Sequence, residues 1–189
     1  MGFSEGRHKM SAYKLLVASA VLFVFALSGY GAERVVNCPE EKVENDVFDA
    51  SALVKNSRIS IENGNAEYPL VLNFYRPTKD GCKKTEFARY ALDGGVPTVE
   101  SIFFMNFRGR ANVFSIVSWN INNRGEMTYG RFYQVYAYYF DENDGLVENK
   151  SISEDEAMAG IEGYVKGRGS RFQYGTAADV KKYWRRRLR

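Results

Sequence analysis

The middle of the chain alternates between short apolar runs and turn signals, which is the pattern of strands in an antiparallel sheet. Turn-forming residues such as Asn63-Gly64 and Asp93-Gly94-Gly95 separate the runs. The predicted strands cover residues 58–62, 70–75, 85–92, 98–105, 111–121, 131–140 and 146–150. Because the turns between them are short, we expect consecutive strands to pair as one meander.

The strand predicted at 131–140 is apolar on both faces. One face carries Phe132, Tyr136, Tyr138 and Phe140, and the other carries Tyr133, Val135 and Tyr139. A strand of this kind is usually central and covered on both sides. Something is therefore expected to pack over the sheet.

The C-terminal segment offers a candidate for that covering layer. Thr176 and Asp179 form a weak capping box before an apolar stripe. The stripe has helical spacing and consists of Val180, Tyr183, Trp184 and Leu188. The pattern predicts an amphipathic helix packed on the sheet.

Three further local elements are predicted. A helix is expected at 47–55 with Asp46 as its cap. A second is expected at 153–161, opened by a capping box from Ser153 to Glu156. Residues 164–174 favour a small hairpin. The fold class is then α+β, mainly an antiparallel β-meander sheet with the C-terminal helix packed on it, in a single domain at 32–189.

The N-terminal region is typical of a secretory signal peptide at 10–31. Lys14 precedes an uncharged run at 15–27, which is too short to span a bilayer comfortably. Small residues allow cleavage after Ser28 or Gly31, and Gly31 is preferred. These features predict export to the periplasm; the alternative is an uncleaved inner-membrane anchor.

Histidine and cysteine usage restricts the chemistry. The only histidine is His8, inside the segment 1–31 that cleavage after Gly31 would remove. The usual Ser-His-Asp, Cys-His and histidine-zinc sites are then excluded from the exported part, and two cysteines cannot complete a zinc site. No catalytic residue, metal or cofactor is predicted. Cys38 and Cys82 are expected to form a disulfide in an oxidising compartment, the alternative being two buried thiols.

The loop 141–145 contains the residue types of a calcium-binding loop but not the spacing that such a loop requires. Gly145 falls one position early, and Ile152 stands where a ligating glutamate is needed. A hairpin turn is the better interpretation.

Charge is balanced except at the C-terminus. The chain has a net charge of +3, and the segment 1–31, which is expected to be removed, contains three of its cations and one of its acids. The C-terminal cations are Lys181, Lys182, Arg185, Arg186, Arg187 and Arg189. They indicate either an anion-facing patch or a solvated helix face whose cations favour the helix C-terminus. Export disfavours nucleic acid as a partner.

The polar connection at 120–128 is the best candidate for a contact surface, because binding residues concentrate on such loops. Its candidate binding residues are Trp119, Asn122, Asn123, Arg124, Glu126 and Tyr129.

Residues 97–184 also carry a resemblance. It rests on the stretch VESIFF at 99–104, on VFSIVSW at 113–119, on the aromatic strand at 133–138, and on the tail from Gly160 to Tyr183. Together these resemble a group of small exported proteins of Gram-negative bacteria, some with FG-GAP-like strand–turn–strand units that include an acidic calcium loop. Here that loop reads NFRGR at 106–110, without acids. The resemblance extends to immunity proteins that neutralise toxins in the periplasm.

Two functional hypotheses follow. The first is a periplasmic, non-enzymatic binding protein of the immunity or inhibitor type, whose partner is a toxin, an effector or an envelope protein. The second is a cell-envelope protein that binds a glycan or an anionic lipid.

Overall fold

The structure is a computed structural model and describes residues 34–40, 46–143 and 145–188. The predicted signal peptide at 10–31 and Arg189 of the basic C-terminus lie outside these residues. Among the described residues, no helix has both the length and the apolar character needed to span a membrane.

Most of the described residues lie in β-strands, and a small helix closes the chain. The strands are β1 Arg34–Val36, β2 Val47–Asp49, β3 Arg58–Asn63, β4 Leu70–Thr78, β5 Gly81–Tyr90, β6 Thr98–Phe107, β7 Arg110–Asn123, β8 Thr128–Asp141, β9 Gly145–Glu148, β10 Ala159–Val165 and β11 Arg168–Ser170. The helices are α1 Lys150–Ser153 and α2 Ala177–Arg187, with a 3-10 turn at Glu156–Met158.

The strands form two antiparallel sheets, so the prediction of a single meander is wrong. The N-terminal sheet has the order β1-β5-β4-β3-β2. The central sheet has the order β11-β10-β8-β7-β6, and β9 also pairs with β8. The chain leaves the first sheet at 91–97, where Gly94 has a φ of +71°. Packing the sheets face to face buries an apolar face of each, which extending them side by side would leave exposed.

The first core lies between the two sheets. The N-terminal sheet contributes Ile59, Leu72, Phe74 and Tyr90, and the central sheet contributes Val113, Val117, Trp119 and Tyr138. Phe132, Tyr136 and Phe140 pack against this cluster. One face predicted for strand 131–140 is thus buried against the other sheet.

The second core lies on the opposite face of the central sheet. It joins Phe103, Phe107, Phe114, Ile116 and Val135 to Ile152, Met158, Val180 and Trp184. The predicted packing of the C-terminal helix on the sheet is confirmed. Thr176 Oγ1 accepts a hydrogen bond from Asp179 N–H at 3.3 Å, so the predicted N-cap is also present. The central sheet is therefore the middle of three layers.

The helix predicted at 47–55 is wrong. Residues Val47–Asp49 form β2 instead, and the chain then turns. The Asp49 carboxylate accepts hydrogen bonds from the backbone N–H and the hydroxyl of Ser51, at 3.0 and 2.5 Å. Such a local side-chain bond satisfies the backbone in a turn and competes with a helix.

The helix predicted at 153–161 is also wrong. Ser153 ends α1, and its hydroxyl accepts a hydrogen bond from Ala137 N–H of β8 at 3.2 Å. Asp155 rather than Ser153 caps the short 3-10 turn by accepting from Ala157 N–H at 3.0 Å. Residues from Ala159 onward then join β8 as β10, and the predicted hairpin that follows is formed by β10 and β11.

The disulfide between Cys38 and Cys82 is present, as predicted. Cys82 is fully buried, and its strand pairs with β1 through Val36. The disulfide therefore joins the segment after the edge strand β1 to the neighbouring strand β5.

A hydroxyl network crosses the first core. Tyr90 OH is hydrogen-bonded to Ser115 Oγ at 2.8 Å and to Tyr138 OH at 3.3 Å. Burial raises the pKa of Tyr90 and of Tyr138 well above the usual tyrosine range, and it raises the pKa of Tyr136 to about 12. Removing water from a phenolate disfavours the charged form.

We expect the free energy of unfolding to fall above pH 10, the ordinary pKa of tyrosine. Below that pH both states keep the Tyr90 proton; above it the unfolded chain releases the proton while the folded chain retains it. Each such tyrosine contributes a slope of about 1.4 kcal/mol per pH unit. Urea denaturation between about pH 9 and about pH 11 measures the slope, and Tyr90→Phe should reduce it. An equal slope in this variant would contradict the assignment.

Candidate functional site

The connection predicted as a contact loop is a tight hairpin. Strand β7 continues to Asn123 and β8 begins at Thr128, so only 124–127 turn, and Met127 N–H donates to Arg124 O at 3.2 Å. The prediction of a long loop at 120–128 is therefore wrong, because backbone pairing extends both strands beyond their apolar residues. Of the residues predicted to bind, Asn122, Asn123, Arg124, Glu126 and Tyr129 are exposed.

Trp119 does not belong to this exposed surface. Its side chain is buried between the sheets, and its Nε1–H donates to Ala91 O at 2.9 Å. The ring packs against Phe132 and Tyr90, with centroid distances of 5.8 and 6.4 Å. Including Trp119 among the contact residues is a misassignment, because its alternation along β7 points it into the core.

A second hairpin lies beside the first. Gly167 N–H donates to Met127 O at 3.0 Å, and Lys166 N–H donates to Thr128 Oγ1 at 3.2 Å. These bonds place the β10–β11 turn next to the β7–β8 turn at one end of the central sheet. We call this end the hairpin-tip surface; it consists of Arg124, Met127, Tyr129, Tyr164, Lys166 and Arg168.

Two glycines allow the strands to approach closely at this surface. Gly130 pairs with Gly163 between β8 and β10, and their φ angles are +137° and +142°. A Cβ at Gly163 would lie 2.4 Å from Tyr129 O. Next to this pair, Tyr129 stands opposite Tyr164, with ring centroids 5.4 Å apart. The glycines therefore fix the position of an exposed aromatic pair.

Gly163→Ala is expected to lower the free energy of unfolding by more than about 1 kcal/mol, because neither the φ angle nor the space accepts a side chain. Urea denaturation measures the change. Gly169→Ala is the matched control, since no atom lies within 4 Å of the added Cβ. Equal stability of the two variants would contradict the close approach of β8 and β10.

The hairpin-tip surface combines exposed apolar side chains with exposed cations. Met127, Tyr129 and Tyr164 are 56 %, 41 % and 49 % exposed. Within the described part of the chain, Arg124, Lys166 and Arg168 make no ion pair, and Glu126 is the acid in the same turn. Aromatic residues, methionine and arginine are enriched in protein interfaces.

The basic C-terminal helix divides its cations between packing and solvent. Lys181 lies over the Phe103 ring at 5.2 Å. Arg187 is hydrogen-bonded to Asp155 at 2.7 Å and to the Tyr183 hydroxyl. The remaining described cations, Lys182, Arg185 and Arg186, are exposed and have no ion-pair partner among the described residues. Arg189 lies outside the residues that the structure describes.

The described residues hold no group of three His, Cys, Asp or Glu side chains that could share a metal ion. In the turn after β8, Asp141 accepts a hydrogen bond from Asn143 N–H at 3.0 Å, and Asp141 pairs with Gly145 across the β8–β9 hairpin. This geometry is that of the expected turn.

Sequence reasoning missed Tyr164, Lys166 and Arg168, and it placed Met127 within the predicted connection at 120–128 without naming it as a binding residue. Tyr164, Lys166 and Arg168 join the surface because two hairpins distant in sequence lie side by side, which local periodicity does not reveal. The available signal was a pair of isolated glycines, Gly130 and Gly163, inside otherwise regular strand patterns.

The fold defines a two-sheet antiparallel β protein with a helical third layer and an exposed aromatic end. No family model matches the chain, and comparisons with curated proteins and with solved structures find no match. The resemblance of residues 97–184 to small exported proteins therefore stays a prediction.

Proposed function

We propose that the protein is an exported, non-enzymatic binding protein that recognises a protein partner through the hairpin-tip surface. The observation that carries the proposal is the exposure of Met127, Tyr129 and Tyr164 on two adjacent hairpins that also carry cations without ion-pair partners in the described chain. Isolated exposed apolar residues are ordinary, but a contiguous group at one end of the molecule favours an interface.

The surface is also rigid. The Gly130–Gly163 contact and the bonds from Gly167 and Lys166 hold both turns in one arrangement. A preorganised surface loses less conformational entropy on binding than a mobile loop. The partner that fits it presents both apolar and acidic groups. A toxin or effector delivered to the periplasm is the first candidate class, and an envelope protein is the second.

A photo-crosslinking amino acid at Met127 tests this proposal in the native host. We expect a discrete protein adduct that disappears when Tyr164→Ala is added. The matched control places the same crosslinker at Leu188, the C-cap residue of α2, which is 40 % exposed and distant in sequence from both hairpins. An adduct at both positions, or at neither, would count against a specific interface.

The captured partner then allows a quantitative test. Tyr129→Ala with Tyr164→Ala should weaken its binding by about thirtyfold, the effect of one interface hot spot. If the partner is toxic, the wild-type protein should rescue growth and the double variant should fail. Wild-type affinity in the double variant would contradict the proposal.

A second candidate function is association with an anionic lipid surface through α2. It is favoured by Lys182, Arg185 and Arg186, which are exposed and have no ion pair within the described residues. Their replacement by alanine should abolish sedimentation with phosphatidylglycerol vesicles at low salt. The control removes the same charge at Lys55, Lys79 and Arg171, which are also exposed. Equal loss in both variants would indicate a net-charge effect only.

A further inference from the structure

A polar cleft lies on the outer face of the N-terminal sheet, on the side away from the central sheet. Its volume is about 420 Å³, within the range of about 300–1,000 Å³ that is common for small-molecule sites. Side chains from β3, β4, β5 and the β3–β4 turn line it. The lining residues used below are Glu62, Tyr68, Asn73, Lys84, Glu86 and Arg89.

Asn73 in the lining carries the main observation. It stands between Leu72 and Phe74 of the core, so alternation turns it to the outer face. It is only 4 % exposed, and its side-chain amide makes no hydrogen bond to any described residue. Among the described residues, Trp184 Nε1 is the buried side-chain polar atom without a partner, so the Asn73 amide keeps contact with solvent through the cleft. A ligand in the cleft replaces that solvent when it supplies hydrogen-bonding groups of its own.

Two ion pairs stand beside Asn73. Lys84 Nζ lies 2.6 Å from Glu62 Oε2, and Arg89 Nε lies 2.7 Å from Glu86 Oε1. Two cations and two carboxylates cancel, so the cleft as a whole favours a neutral ligand. Glu86 is also the register partner of Asn73 across β4 and β5. A carboxylate and an amide are thus placed on adjacent strands.

The Glu62 carboxylate is held in a fixed position. Ser60 Oγ and Tyr75 OH each donate to its Oε1 at 2.6 Å. Burial alone would raise the pKa of Glu62, but the hydrogen bonds from Lys84, Ser60 and Tyr75 outweigh it and hold the pKa below its usual value. The group therefore stays ionised at neutral pH and accepts hydrogen bonds.

Tyr68 supplies an aromatic wall. The Asn65 side chain accepts from Glu67 N–H and Tyr68 N–H at 3.0 and 2.8 Å, which fixes the turn that carries the ring. The Arg89 guanidinium lies 5.3 Å from the ring centroid. Amphipathic rings of this kind combine an apolar face with a polar edge.

We infer that this cleft binds a neutral saccharide of one or two rings. Adjacent sugar hydroxyls both donate and accept, so they match an amide, carboxylates and a guanidinium held in fixed geometry. The apolar face of a sugar ring matches Tyr68. This site lies on a different sheet from the hairpin-tip surface and does not depend on the proposed protein partner.

NMR titration of the full chain with glucose, galactose, mannose, N-acetylglucosamine and their disaccharides tests the inference. One or more of these sugars should shift the Asn73 side-chain amide and the Arg89 Nε–H signals with saturable, millimolar affinity. Glycine and glutamine are titrated in parallel as zwitterionic probes. Saturation by these amino acids alone, or by none of the probes, would overturn the inference.

Two variants locate the binding. Asn73→Leu keeps the branched shape of the side chain but removes the amide, and it should weaken sugar binding at least about tenfold. Should Asn73→Leu fail to fold, Tyr68→Ala removes an accessible wall and should weaken binding about tenfold. Tyr129→Ala with Tyr164→Ala is the control and should bind sugar like the wild type. Unchanged sugar affinity in folded Asn73→Leu or in Tyr68→Ala would contradict the site.

Discussion

Replacing both Cys38 and Cys82 by alanine is expected to lower the free energy of unfolding by about 4 kcal/mol. The two cysteines are 44 positions apart, so the disulfide closes a long loop in the unfolded chain. It also retains β1, which contacts the edge of its sheet through only three register pairs. Without the covalent link, that short strand has little to hold it.

Urea denaturation of wild type, wild type with reductant, and the double variant measures this effect. Reductant should bring the wild type to the stability of the double variant and should leave the double variant unchanged. Amide exchange should show the largest local loss of protection in β1 and β5. A double variant as stable as the oxidised wild type would contradict the expected contribution of the disulfide.

Trp184→Ala is expected to cost about 3–5 kcal/mol, the usual range for removing a buried tryptophan. Trp184 is 5 % exposed, and its ring meets the Phe107 ring edge-on at a centroid distance of 5.2 Å. It is the largest side chain through which α2 packs on the central sheet. Its removal therefore detaches much of the third layer.

Trp184→Phe should cost far less, less than about 1.5 kcal/mol. The Trp184 Nε1–H is buried and has no hydrogen-bond partner among the described residues. Replacement by phenylalanine therefore removes a donor without breaking a hydrogen bond. Arg185→Ala, on the exposed side of the same helix, should change stability by no more than about 0.5 kcal/mol. Urea denaturation of the three variants ranks them. Equal losses from the phenylalanine and alanine variants would show that the indole N–H matters more than its packing.

The long strands could be predicted from the sequence because their alternation is strong. Strand 131–140 is the best case: its two apolar faces indicated a covered central strand, and both faces are buried. The predicted strand begins too late, because Thr128 pairs with β7 and Tyr129 pairs with both β7 and β10. The local sequence pattern carries no information about this pairing. Strands β1 and β2 have three residues each, too few for periodicity to show.

The candidate surfaces show the same division. Arg124 and Tyr129 were predicted from a polar turn in the sequence, but Tyr164 and Lys166 depend on contacts between hairpins distant along the chain. Asn73 gave no signal, because one polar residue inside an apolar run reads as ordinary alternation. The burial of Asn73 is apparent only from the tertiary structure, in which side chains of three strands surround it.

The short outer strands of both sheets also limit self-association. Four peripheral strands, β1, β2, β9 and β11, have three or four residues each. Among the described residues, β6 is the one long strand at the edge of a sheet, and a bulge between Val99 and Ser101 interrupts its register. Fibril growth by edge-to-edge strand addition needs long, flat margins. At high concentration the folded protein should therefore polymerise slowly, and mutations that straighten the β6 bulge should be the ones that promote it.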